Sequence, residues 1–139
     1  MIVKIENAKI GQVIDLLFDL SLKGKESRHR SKFIKALTER LEEVAEEEQE
    51  LIKEHCHLNE EDKPKTLNDG KEWDIKDIEA YKKDKLELYK EEFILEGGNV
   101  SGYLKTVRDV VMNCEKEFSG QEAAIYDYLY DQLEEIEEQ

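Results

Sequence analysis

The residue types best suited to chemistry stand together at "EHCH", where Glu54, His55, Cys56 and His57 could all bind a metal. Zinc sites space their ligands so that several side chains converge on one ion, and neighbours at a helix end point in different directions. No second pair follows at a recognisable spacing, and His29 and Cys114 would join the cluster only if the fold brought them there. The plainer reading is a helix C-terminus, where histidine meets the negative end of the dipole and Cys56 packs. Pairs of carboxylates carry little information in a chain with 35 Asp and Glu among 139 residues. Glycosidase-type chemistry needs two in one cleft with different environments, whereas "EEVAEEEQE" reads as a solvated helix face. No glycine-rich phosphate loop, nucleophile elbow or Ser/His/Asp pattern is present. The reading is a protein that is not an enzyme and uses neither metal nor cofactor.

Charge placement says more. The net charge is -14, which repels nucleic acid and anionic membranes at long range and favours basic protein surfaces. Yet Lys23, Lys25, Arg28, Arg30, Lys32 and Lys35 gather within thirteen residues against Glu26 alone, while eleven acids between 39 and 62 face only Arg40 and Lys53. Cations at a helix N-terminus oppose its dipole, so some partner must hold them. Acids of the last helix or an anionic partner gripped by arginine forks would serve. Lys25, Arg28, His29, Arg30 and Lys32 are therefore the candidate clasp, either to a partner or between subunits. The six tyrosines read mostly as core-edge residues with their hydroxyls in water. Tyr126 and Tyr130, four apart on one helix face, are the alternative interface stripe.

The elements that must position these groups follow from periodicity. "IVKIE", residues 2 to 6, alternates like a strand, and Asn7 is suited to cap a helix over about 8 to 21 with Ile10, Val13, Ile14, Leu17 and Phe18 on its apolar face. Beyond Gly24 a long helix spans about 26 to 57. Its heptad seam is Ile34, Leu37, Leu41, Val44, Glu48 and Leu51, with His55 at the end, which argues for packing against another helix. Pro64 stops this helix, and Asn68-Asp69-Gly70 marks a tight β-hairpin between "KTL" and "EWDI". Asp77 caps a return helix to about 92 carrying Ile78, Tyr81, Leu86, Leu88, Tyr89 and Phe93. "FILE" is a short strand suited to pair with "IVKIE". Val100 to Cys114 forms a further helix, and the capping box of Ser119 and Glu122 starts the last one, with Ile125, Leu129, Leu133 and Ile136 on one face.

The fold class expected is mainly α with minor β: a long antiparallel helical hairpin with a small β-hairpin at its tip, short base strands and two C-terminal helices. Residues 1–139 read as a single domain ending in a frayed acidic tail over 133–139. One proline, seven glycines and 40% charged residues suit long amphipathic helices. "MIVKIENAKIG" does not read as a signal peptide, no apolar run is long enough to span a bilayer, and Cys56 and Cys114 are expected reduced.

Three stretches, "ENAKIGQVIDLLFDLSLKGKESRHRSKFIKALTERLEEV", "DIKDIEAYKKDKLELYKEEF" and "EFSGQEAAIYDYL", resemble a small family of phage and prophage proteins of unknown function from Gram-positive bacteria. The likeness extends from Ile2 to about Leu133, contains no catalytic motif and brings no assigned active site. It implies a protein made in an infected or lysogenic bacterium and encoded near tail or lysis functions. The expected function is thus a non-enzymatic interaction or assembly protein, a tail-associated accessory or chaperone. It would self-associate or bind another protein, in the host cytoplasm or the virion. The alternative is an acidic inhibitor of a host protein that mimics nucleic acid.

Overall fold

A computed structural model describes residues 1–134. The elements are β1 (Ile2–Glu6), α1 (Ile10–Phe18), α2 (Gly24–His55), β2 (Thr66–Leu67), β3 (Glu72–Trp73), α3 (Ile78–Lys90), β4 (Glu92–Glu96), α4 (Gly98–Met112) and α5 (Gly120–Glu134). This is a mainly α fold with a small antiparallel sheet. The described residues form two compact units: Met1–Leu41 with the chain from Glu92 onward, and Glu42–Glu91.

In the first unit, β1 alternates as its sequence requires: Val3 and Ile5 are buried and Lys4 is exposed. It pairs antiparallel with β4, placing Val3 opposite Leu95 and Ile5 opposite Phe93. Against the inner face lie Val13 and Leu17 of α1, Phe33 and Leu37 of α2, Leu104 and Val107 of α4, and Ile125 and Leu129 of α5. Asn7 does not cap α1. It is buried in a single 3-10 turn, Asn7–Lys9, and its Oδ1 accepts from Arg40 Nε at 3.2 Å. The turn delays α1 to Ile10, and the helix stops at Phe18, three residues short of expectation. Phe18, expected on the apolar face, is 72% exposed, while Leu16 and Leu20 are buried. The chain leaves the helix at that point, so Leu20 reaches the core and Phe18 remains outside it.

α4 follows Gly97, whose φ of 98° is a left-handed value that a side chain would resist. α5 begins one residue after Ser119 and buries Ile125, Leu129 and Leu133. Leu133 is part of this packed row and not of a frayed end. The rest of the expected tail, 135–139 with Ile136, lies outside the described residues.

The second unit holds the later turns of α2. The helix ends at His55, so Pro64 is not its stop signal. Cys56 leaves it to bridge Ile75, and Pro64 bridges Leu58 instead. The hairpin forms where the turn signal stands: Thr66 pairs with Trp73 and Leu67 with Glu72, and Asn68, Asp69 and Gly70 all take positive φ. Asp77 caps α3 as its sequence suggests, its Oδ1 accepting from Ala80 N at 3.2 Å. α3 returns antiparallel to α2, because Glu48 meets Lys85 and Tyr89 while His55 meets Tyr81 and Asp84. Ile78 and Leu86, expected to face inward, are each 55% exposed; Leu88 is the buried residue of α3.

The heptad seam is engaged within the chain. Leu37 and Val44 are fully buried, and Ile34, Leu41, Glu48 and Leu51 are half-buried. Ile52, outside the seam, is buried more completely than Leu51. The later turns of α2 pack on α3 and on the bridge at Cys56, so their apolar face is wider than a strict coiled-coil stripe.

Candidate functional site

The basic start of α2 resolves into two kinds of residue. Arg30 Nη1 donates to the carbonyl oxygen of Leu17 at 3.2 Å and also to that of Leu20. Both carbonyls belong to the end of α1 and the turn after it. Arginine there adds a charged donor to carbonyls at the helix end, of which that of Leu17 also accepts from Leu20 N–H at 3.2 Å, and meets the negative end of a dipole. His29 Nδ1 lies 2.7 Å from Thr106 Oγ1 on α4, and Thr106 Oγ1 lies 3.3 Å from the carbonyl of Gly102. Burial and the cations Lys25, Lys32 and Arg28 hold His29 below the ordinary histidine pKa. Lys25, Arg28 and Lys32 are exposed. The expected grip of Arg30 on carboxylates of the last helix is replaced by a grip on carbonyls of the first. For Arg30 alone this supplies a partner within the chain.

Beside this cluster a groove of about 530 Å³ runs between the turn after α1 and the end of α4, lined by Leu20, Leu22, Glu26, Asp109, Val110 and Cys114. Its lining mixes both charges with apolar groups. Cys114 is half-buried there.

The cluster at Glu54 to His57 is divided by the fold. His55 Nε2 lies 2.7 Å from Asp84 Oδ2, with the Tyr81 ring edge-on to it. Cys56 is fully buried, and burial followed by the nearby Asp74 carboxylate pushes its thiol up. His57 is exposed, its backbone N–H donating to the carbonyl of Asp74. Among the described residues no three His, Cys, Asp or Glu side chains are placed to hold a metal ion.

A groove of about 330 Å³ runs between α2 and α3 in the second unit. Glu47, Glu50 and Glu54 line one wall, Asp84, Glu87 and Glu91 the other, and Leu51 and Leu88 lie between them. Residues 42 to 91 hold 18 acids against nine lysines, so this unit carries -9 of the chain's -14. Carboxylates concentrated along one groove raise the local negative potential and draw cationic partners. Next to the groove Glu48 accepts from the Tyr89 hydroxyl at 2.5 Å and pairs with Lys85 at 3.2 Å. Burial and then the hydrogen bond to Glu48 push the Tyr89 pKa up to about 12. Glu48 was legible as a polar seam residue; its partners were not. The available signal was the four-residue spacing of Lys85 and Tyr89, which puts both on one helix face.

Two of the tyrosines at the core edge, expected to have wet hydroxyls, bond within the chain instead. Tyr126 donates to the carbonyl of Val111 at 2.7 Å, and Tyr128 accepts from Glu6 N–H at 2.9 Å.

Fold and surfaces together define a small, mainly α protein with an acidic unit built on two helices and a compact α+β unit. The family model described as "Protein of unknown function (DUF1617)" matches residues 1–139, and the chain belongs to that family. No curated protein and no solved structure gives a significant match. No described helix is long and apolar enough to cross a membrane.

Proposed function

We propose that the chain is a phage-encoded, non-enzymatic interaction or assembly protein of the tail-accessory or chaperone kind. It acts in the host cytoplasm or the virion by binding protein through its acidic two-helix unit. The observation that carries this reading is the groove with six carboxylates around Leu51 and Leu88. Its charge suits lysine and arginine side chains, and its apolar floor suits the stems that carry them. The phage setting rests on the resemblance of the sequence. Because the seam is engaged inside the chain, self-association would use exposed charge and not a coiled coil.

The test combines light scattering with capture from bacterial lysate at low and high salt, using wild type and Glu50→Lys/Glu87→Lys. A salt-sensitive complex, with itself or with a basic protein, that the double variant loses supports the reading. A strict monomer that captures nothing at low salt refutes it. The same carboxylate groove also favours a second reading, an acidic mimic that inhibits a host nucleic-acid-binding protein. Competition between the chain and DNA for the captured protein separates the two.

A further inference from the structure

Among the described residues β4 has one strand neighbour, β1, and its other edge meets no strand. Which backbone groups lie on that edge follows from β1. Glu6 N–H donates to the Tyr128 hydroxyl, and the Lys4 carbonyl accepts from Gln132 Nε2 at 2.6 Å. Lys4 and Glu6 therefore turn their backbone groups away from β4 and toward α5. Opposite residues in an antiparallel ladder either exchange both bonds or both turn away. The ladder bonds are thus made by Val3 with Leu95 and Ile5 with Phe93. Glu92, Ile94 and Glu96, opposite Glu6, Lys4 and Ile2, direct their N–H and C=O outward. α5 closes the outer edge of β1 with two side chains; among the described residues nothing bonds to the outer edge of β4. The side chains of Glu92, Ile94 and Glu96 share the exposed face of the strand, and Leu95 is buried on the other.

An open edge of this kind accepts an extended segment as a third strand. Charge decides which segment. In "EFILE" a glutamate stands two residues to either side of Ile94, so a second copy pairing antiparallel about Ile94 would set Glu92 against Glu96 twice. Like charges directly opposite destabilise a sheet, whereas opposite charges support it. The edge repels its own copies and suits lysine or arginine opposite both glutamates, with an apolar residue opposite Ile94. We propose that β4 is a strand-addition site for an extended segment of a partner protein with basic–apolar–basic alternation. The inference rests on the reading of the chain as an interaction protein and gives it a second candidate surface.

The probe is a capped peptide, Thr-Lys-Thr-Ile-Thr-Lys-Thr, with a counterpart carrying glutamate for lysine. Titration followed by amide NMR should shift Glu92, Ile94 and Glu96 and slow their hydrogen exchange. The glutamate peptide should bind about tenfold more weakly or worse, from two reversed cross-strand pairs. Ile94→Pro removes an outward N–H without touching a ladder bond, a position where edge strands tolerate proline. It should keep its Tm and lose the peptide. If that variant fails to fold, Glu92→Lys/Glu96→Lys decides instead by inverting the preference between the peptides. Equal affinity for both peptides, shifts that avoid β4, or full binding to a folded Ile94→Pro would overturn the proposal. The same samples test the acidic groove: partner capture that survives while β4 stays silent sinks the strand site alone. Peptide binding at β4 without any capture by the groove sinks the groove reading alone.

Discussion

Arg30 and Arg28 are two residues apart in one basic cluster, yet the fold assigns them different work. Arg30 donates to the carbonyls of Leu17 and Leu20, while Arg28 is exposed. A hydrogen bond from a charged donor contributes about 1.5–3 kcal/mol when buried. Partial solvent access at a helix end lowers this, and the interaction with the α1 dipole returns about 0.3–1 kcal/mol. Arg30→Ala should therefore cost about 2 kcal/mol. In urea, at a typical slope of about 2 kcal/mol/M, that lowers the midpoint by about 1 M. Arg30→Lys, which keeps the charge on a shorter stem and so sets its donors back from the carbonyls, should recover about half. Arg28→Ala should change stability by less than about 0.5 kcal/mol. Circular dichroism during urea titration measures all three, repeated in about 0.5 M salt, where exposed ion pairs are screened. A carbonyl-bonded Arg30 keeps its effect in salt, whereas a carboxylate clasp would lose it. Equal costs for the two alanine variants, or a cost for Arg30→Ala that vanishes in salt, would refute the assignment.

Tyr89→Phe removes the hydrogen bond to Glu48 and should cost about 1 kcal/mol near pH 8 by urea titration. The raised Tyr89 pKa means the fold favours the neutral phenol. That contribution is complete below the ordinary tyrosine pKa of 10 and is lost as pH rises through about 12, so the gap between variant and wild type should narrow over that window. His29, held low, should titrate below 6.5 by NMR, and Lys25→Gln or Arg28→Gln should raise its pKa; no change would remove these cations as a cause. Its sign runs opposite to that of Tyr89: the fold favours neutral imidazole, so this contribution is present above 6.5 and declines as pH falls below it. Leu133→Ala should cost about 2–5 kcal/mol, since the side chain is fully buried in α5; a cost under about 0.5 kcal/mol would return Leu133 to a loose end.

Local physics was legible in the chain. The alternation of "IVKIE" marked β1 to the residue, Asp77 announced the cap of α3, and Asn68-Asp69-Gly70 specified its turn through backbone preference. Each depends on neighbours within a few positions, where side-chain period and φ preference act directly. The pairing of β1 with β4 was also in reach, because two short apolar strands each need a partner. Tertiary structure alone decided the destinations of polar groups. Asn7 had the chemistry of a cap and was drawn into the core by Arg40; Arg30 had the chemistry of a carboxylate clasp and found backbone carbonyls nearer. His55 and His57, two positions apart, went one to Asp84 and the other to solvent. A hydrogen-bonding side chain is satisfied by any suitable group within about 3 Å, and sequence does not rank partners tens of residues away. The acidic composition was plain from the residues, but its gathering into a groove on α2 and α3 and the open edge of β4 exist only once the chain has folded.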